Sequence, residues 1–428
     1  MFAFENTLAF AQQLDEKDIL KSFRSKFHFP KRNGKDAVYF TGNSLGLQPK
    51  TVKDNVALAL QEWETLAVDG YFSGSHPWMN YHLEVAPTLA KLMGAKEHEV
   101  VAMNQLTINI HLLCASFYKP TATRYKIICE AKAFPSDQYA LETQVQLHGL
   151  NPEDVIIEIA PKSGEQTIDT KDIVALIKEH GESVAVVFIG GVNYYTGQLF
   201  DMQAITAAAH AVGAYAGYDL AHAAGNVELQ LHDWEVDFAA WCTYKYLNSG
   251  PGAIGGVYVH EQFATNPDFP RLAGWWGYDK ATRFLMDKGF KAIPTVEGWQ
   301  MSISPLLSMA VHKASLQLFE EAGIENLHTK SKQLTAYLHF VLADINNSLP
   351  NKVLDVITPT DEAARGCQVS INMLKDGKRV FEALVAEGIV ADWREPNVIR
   401  LAPVPLYNSF EDVWVFGNII RKITTGLK

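Results

Sequence analysis

The sequence holds no apolar run approaching the ~20 residues that would cross a bilayer, so no membrane role is expected. Cysteine is scarce: Cys114, Cys129, Cys242 and Cys367 lie far apart, form no C-x-x-C and sit in apolar stretches. Such spacing suits buried free thiols of a reducing compartment rather than a disulfide framework. There is no H-E-x-x-H, and the 14 histidines show no metal-like clustering with cysteine or carboxylate, so no metal is expected. A G-x-S-x-G nucleophile elbow is also missing. No Lys/Arg run occurs, and a formal net charge of −11 repels nucleic acid on average. The first 18 residues meet Glu5 at once and lack a basic region, so they do not read as a signal peptide. The cytoplasm is the expected compartment.

What is present suits a large soluble protein. The 428 residues are 48% hydrophobic and 20% charged, enough for an extensive core and two domains. Seven β-rich runs stand out: Val100–Met103, Tyr125–Cys129, Val155–Ile159, Val184–Ile189, Ala214–Asp219, Phe238–Thr243 and Ile254–Val259. Helical patterns at Thr107–Phe117, Ser136–Leu147, Thr170–His180 and Met202–Val212 alternate with them. That alternation predicts an α/β fold whose mostly parallel, seven-stranded sheet is covered on both faces. Beyond Asn266-Pro267 the pattern breaks into a Gly/Trp-rich loop. A long helical region is then expected from Leu306 toward Asn346. A smaller α/β set closes the chain at Gln368–Met373, Lys378–Glu387, Ile389–Asp392, Val398–Leu401 and Phe410–Thr424. The expected division is a segment 1–49 packing with the smaller domain, a large domain 50–304 and a small C-terminal domain 305–428.

Two apolar runs end in groups that carry chemistry. AGYDLAH places Asp219 at the end of one, with His222 three residues on, and DFAAWCTYK places Lys245 at the end of the next. Alone, Asp219 would be a turn or cap residue and His222 a satisfied structural histidine. A lone lysine is ordinarily a solvated surface group. Lys245 instead stands between Tyr244 and Tyr246 in an apolar run, where partial desolvation favours the neutral, nucleophilic amine. Adjacent strands can bring Asp219 and Lys245 to one sheet edge. Pyridoxal phosphate chemistry requires that pair: an amine to hold the aldehyde as a Schiff base, and a carboxylate to keep the ring nitrogen protonated.

Other motifs carry ordinary readings beside functional ones. Leu106 and Thr107 open a helix whose N-terminus can bind phosphate, although Thr is also a common cap. Phe134, Pro135, Ser136 and Asp137 form ordinary helix-start chemistry, yet Phe134 can stack on a flat ring and Asp137 can bond to it. Gly250–Gly255 matches G-x-G-x-x-G, but a strand-like run follows where a dinucleotide site needs a helix. A tight glycine turn beside the lysine explains it better.

Assembled, these residues resemble the kynureninase family of fold-type I pyridoxal phosphate enzymes, within the aspartate aminotransferase superfamily. The resemblance runs from Tyr39–Gly46 through Ala131–Asp137, Tyr218–Val227, Leu231–Trp234, Tyr244–Asn248 and Gly274–Gly277 to Leu401–Phe410. It implies a hydrolase that cleaves the Cβ–Cγ bond of L-kynurenine to anthranilate and L-alanine, with 3-hydroxykynurenine as the second candidate substrate, in tryptophan catabolism and NAD biosynthesis. It further implies Lys245 as the Schiff-base lysine, Tyr244 as phosphate contact and late proton donor, and Asp219 at the ring nitrogen beside His222. Leu106 and Thr107 would lie at the phosphate, and the Phe134–Asp137 segment at the ring. Trp275 would reach the phosphate of a neighbouring subunit, which makes the enzyme a homodimer with shared sites. Arg400 would clamp the substrate α-carboxylate near Ser44. Tyr71 and Ile303 are implied to line the aryl end. Ile303 stands where the family has Asn and offers no side-chain hydrogen bond, so weaker selection for a ring 3-hydroxyl is expected. Two other readings remain: another fold-type I enzyme, such as an aminotransferase or a cysteine desulfurase, and a non-catalytic binding protein on the same scaffold. None of the four cysteines stands in the context a desulfurase needs, and retention of both Lys245 and Asp219 argues against a binding protein.

Overall fold

The computed structural model describes residues 4–426. Its largest sheet contains all seven expected strands: β1 Val100–Ala102, β2 Lys126–Glu130, β3 Ile156–Ile159, β4 Val184–Gly190, β5 Tyr215–Asp219, β6 Phe238–Cys242 and β7 Gly255–Val259. Their spatial order is β1-β7-β6-β5-β4-β2-β3. Six strands share one direction, and β7 runs against both of its neighbours. The strands read as continuous apolar runs because both faces are covered. Along β6, Phe238 and Ala240 face one core cluster while Ala239 and Trp241 face the other, the two-residue period of a pleated strand. Helices Leu106–Phe117, Pro135–Leu147, Thr170–His180 and Met202–Ala211 form much of that cover.

The long helical region beyond Leu306 is two helices, Leu306–Ala322 and Ile324–Ser348. Gly323 breaks it with a φ of +76°, a left-handed value that glycine takes without a Cβ penalty. The first of the two packs on helix Val52–Leu66 and joins the core of the large sheet. A second, antiparallel sheet holds β8 Leu354–Val356, β9 Val369–Met373, β10 Asp392–Arg394 and β11 Val398–Leu401, in the order β8-β9-β11-β10. The single strand expected at Ile389–Asp392 is split. Ile389–Val390 pairs in parallel with Val38–Tyr39, whereas Asp392–Arg394 pairs antiparallel with β11. The chain changes partner at Ala391, so one apolar run serves two pairings.

The N-terminal segment connects both parts. Helix Leu8–Lys17 packs against the last helix, Phe410–Thr425, and the Asp15 carboxylate accepts the N–H groups of Phe410 (2.7 Å) and Glu411 (3.0 Å). A carboxylate from a distant helix thus satisfies free donors at this helix start. Leu20, Phe23 and Phe27 join the core beneath the large sheet. Among the described residues no helix is long and apolar enough to cross a membrane.

Candidate active site

The parallel strands β1, β2, β4, β5 and β6 end at one edge of the large sheet, where open α/β folds place their ligands. A cavity of about 280 Å³ opens there. Asp219 is the last residue of β5, and the turn after β6 carries Tyr244 and Lys245. All three line the cavity. Lys245 is buried, and its Nζ lies 5.9 Å from the Phe134 ring centroid and 5.8 Å from that of Tyr244. Asp219 is fixed by the Ala221 N–H, which donates to Oδ1 at 2.7 Å. The lysine turn is braced from the N-terminal segment, because Gly46 donates its N–H to the Tyr244 carbonyl at 2.8 Å. A Cβ at Gly46 would stand 2.4 Å from the Lys245 carbonyl and 2.2 Å from Asn248 Oδ1, so no side chain fits.

The cavity gathers more acid than base. Burial raises the pKa of Asp219, opposed by the Lys245 charge and the Ala221 N–H. Burial, then the Asp219 charge, pushes the Asp137 carboxyl well above its ordinary range. Glu130, the last residue of β2, is pushed up to about 7 by burial, opposed by its bonds to Asn193 and the Gly190 N–H. His222 is held well below its ordinary value by burial, then by the charges of Lys245, Arg400 and Arg394, so its imidazole is neutral. His222 Nδ1 and Asp137 Oδ1 are buried without a protein partner.

The remaining wall is an uncapped helix start and an aromatic face. Leu106, Thr107 and Ile108 line the cavity at the N-terminus of their helix, and Gln105 at its cap position makes no side-chain capping bond. Free N–H groups and the helix dipole there suit a phosphate. Phe134, Ser136 and Asp137 border the cavity, with Pro135 at the first position of the same helix. The G-x-G-x-x-G segment leads into β7, as its strand-like sequel predicts. Gly252 lines the cavity and accepts from Gln105 Nε2 at 3.0 Å. A planar, anionic group with a pyridine nitrogen and an aldehyde fits this donor set. It finds an amine, a carboxylate, an aromatic face, unpartnered buried atoms and a phosphate-ready helix.

The other expected residues lie elsewhere. Arg400, in β11, is 1% exposed and sits behind the cavity wall, where Nη1 donates to the Tyr194 carbonyl at 2.6 Å. Tyr194 itself lines the cavity. Ser44 touches Arg400 Nη2 at 3.2 Å. Tyr71 packs edge-on against Trp78, with centroids 5.2 Å apart. Ile303 is half-buried, and Trp275 is 49% exposed, edge-on to both Trp276 and Phe284. Tyr71, Ile303 and Trp275 do not border the cavity that one chain forms.

Sequence reasoning missed Glu130, Tyr194 and Cys242 in the wall, and Asp392 beside Arg400. Glu130 ends an apolar run just as Asp219 does, so the same pattern identifies it. Cys242 directly precedes the Thr-Tyr-Lys segment. The structure also draws Glu99, His232 and His260 together, a grouping that the scatter of histidines in the sequence conceals. Glu99 accepts from His232 Nδ1 (3.0 Å) and from the N–H groups of Glu261 (2.7 Å) and Lys96 (2.9 Å), and the two imidazoles lie parallel, 5.0 Å apart. These contacts join the segments before β1, before β6 and after β7, at the sheet edge opposite the cavity.

Comparison with known proteins identifies the family and the fold. Residues 327–420 match the family described as the kynureninase C-terminal domain. A kynureninase of Flavobacterium psychrophilum is 52% identical over 419 residues, covering 98% of each chain. One from Christiangramia forsetii is 50% identical over 419 residues with the same coverage. Among solved structures, a cysteine desulfurase from Thermococcus onnurineus NA1 superposes with a TM-score of 0.74 at 18% identity, covering 91% of this chain and 95% of that one. At that identity the likeness speaks for the fold.

Proposed function

The chain belongs to the kynureninase family, and on that premise we propose how its cavity carries out the family's reaction. It is a pyridoxal phosphate-dependent hydrolase that cleaves L-kynurenine to anthranilate and L-alanine. The bound cofactor supplies a cationic ring that takes up electron density from bonds broken next to the substrate amine. Lys245 would hold the aldehyde, and its amine is the base placed to take the proton from the substrate α-carbon. Asp219 would keep the ring nitrogen protonated, and neutral His222 in the same wall adds no competing positive charge. Leu106 and Thr107 would hold the phosphate through the helix start, and Phe134 and Asp137 would border the ring. Arg400, with Ser44, takes the substrate carboxylate. Water adds to the γ-carbonyl carbon, the Cβ–Cγ bond breaks, and anthranilate leaves. Tyr244, whose pKa burial raises first of all, stays protonated and gives a proton to the β-carbon, and the proton taken up by Lys245 goes back to the α-carbon, completing alanine.

The observation that carries this reading is the burial of Asp219 and Lys245 at the ends of neighbouring strands, on the wall of one cavity. Mixing the cofactor-loaded protein with kynurenine alone should release anthranilate and alanine in equal amounts over many turnovers. A requirement for an added keto acid would make it an aminotransferase instead.

Leu272, Trp275, Phe284, Leu285, Met286 and Phe290 expose large apolar surface within one stretch of chain. Such a surface suits burial against another copy. The working unit is then a homodimer in the cytoplasm, in which Trp275 of one chain completes the site of the other and Tyr71 and Ile303 meet the aryl end of the substrate.

A further inference from the structure

Arg400 is a nearly inaccessible guanidinium whose donors are largely used within the chain. Nε and Nη2 donate to the two carboxylate oxygens of Asp392, at 3.3 and 2.6 Å. Nη2 also meets Ser44 Oγ at 3.2 Å, and Nη1 meets the Tyr194 carbonyl at 2.6 Å. Asp392 is held in turn. Arg394 approaches it from the other side, with Nε 3.1 Å from Oδ1, and Ser44 donates to Oδ2 at 2.5 Å. The pairing follows from strand register, because Asp392 stands directly opposite Arg400 in the antiparallel β10–β11 ladder and the two side chains share a face.

We propose that Asp392 is the positioning residue of the carboxylate site, fixing the Nε–Nη2 side of Arg400 so that its Nη1–Nη2 end is presented to the substrate. The proposal rests on the reading of Arg400 as the clamp. Asp392 is not itself displaced, since moving it would break contacts to Arg400, Arg394 and Ser44 together. On the Nη1–Nη2 end both partners are neutral, the Tyr194 carbonyl on Nη1 and the Ser44 hydroxyl on Nη2, and the hydroxyl turns from Nη2 to the incoming carboxylate. Charge also selects the ligand. Two guanidinium groups facing one carboxylate leave a single positive charge, which one anionic carboxylate neutralises and an ester or amide does not.

The test compares kcat and KM for kynurenine and for kynurenine methyl ester, in the holoenzyme and in Asp392→Asn, Asp392→Glu and Arg400→Gln. Asp392→Asn should raise KM for kynurenine about tenfold or more while kcat changes less than about threefold, and leave the ester within about twofold. The preference for carboxylate over ester then collapses, while the absorbance of the bound cofactor stays that of the parent. General loss of structure would weaken both compounds together, and that result, or an unchanged preference, overturns the proposal. If Asp392→Asn does not fold, Asp392→Glu carries the same measurement: the charge is kept but displaced, the preference should fall part-way, and an unaltered preference overturns the assignment. Arg400→Gln separates the two readings. If it abolishes the preference while Asp392→Asn keeps it, the clamp stands and Asp392 is removed from it. If Arg400→Gln keeps the preference, the clamp itself is wrong.

Discussion

Glu130 Oε2 accepts the side-chain amide of Asn193 at 2.7 Å, tying the end of β2 to the turn that follows β4. The bond only partly offsets burial, and the carboxyl group is pushed up to about 7. In the unfolded chain the same group titrates near 4.3. Between these values the folded chain holds more protons, so this group makes stability fall as pH rises. Asp137 and Asp219 are shifted in the same direction. Their contribution to the unfolding midpoint of the cofactor-free protein therefore falls from about pH 5 to pH 8, against the opposite contribution of His222, His312 and His339, which burial holds neutral. Glu130→Gln, which cannot ionise, removes the Glu130 part, so the midpoint of the parent should fall relative to that of the variant as pH rises from about 5 to 8, and a difference that does not change with pH would exclude Glu130 as a source.

Lys245→Ala should keep the fold but lose the visible absorbance of a lysine-bound cofactor. Turnover of kynurenine should fall by roughly three orders of magnitude or more, because both the covalent anchor and the base are removed. Anthranilate fluorescence follows the reaction directly. A Lys245→Ala protein that stayed yellow and fully active would overturn the assignment.

Ile303→Asn restores a side chain able to give and accept hydrogen bonds at the proposed aryl end. The ratio of 3-hydroxykynurenine to kynurenine turnover should rise by about 10-fold, the value of one well-placed hydrogen bond. An unchanged ratio would remove Ile303 from the aryl pocket.

If Trp275 acts across the dimer, two defective chains can repair each other. Mixing Lys245→Ala with Trp275→Ala and allowing subunits to exchange gives hybrids in which one site has both its lysine and its tryptophan. Random reassortment then restores about a quarter of the sites, against the low activity of either variant alone. No gain on mixing would place Trp275 in its own chain's site or outside the site altogether.

Much of this architecture is readable from one chain because the two-sided sheet writes itself as apolar runs. Those runs make β1 to β7 visible, and they make Asp219 and Lys245 conspicuous where they end. Glu130 has the same placement and passes unnoticed, since a single acid at a strand end reads as a turn residue until its burial is known. The Asp392–Arg394–Arg400 grouping is hidden for a different reason. It depends on which strand pairs with which and in what register, and the partner change at Ala391 leaves no mark in composition. Gly323 is readable only as a weak point inside a helical pattern, because its φ of +76° is a property of the packed chain. Tyr71, Ile303 and Trp275 stand apart from the single-chain cavity, so their roles depend on surface that a second copy supplies.

The lysine turn leans on Gly46, the segment leading to Gly46 is stitched to the last hundred residues through Val38–Tyr39 and Ile389–Val390, and Thr41 bridges to Ala402. A chain emerging from the ribosome therefore displays Asp219 and Lys245 long before their surroundings can close. Until β11 is made such a nascent chain lacks Arg400, and its Val38–Tyr39 segment waits for a strand partner some 350 residues downstream (389 − 38 = 351). A polypeptide cut short before β11 would carry the reactive amine without the guanidinium that selects what it meets.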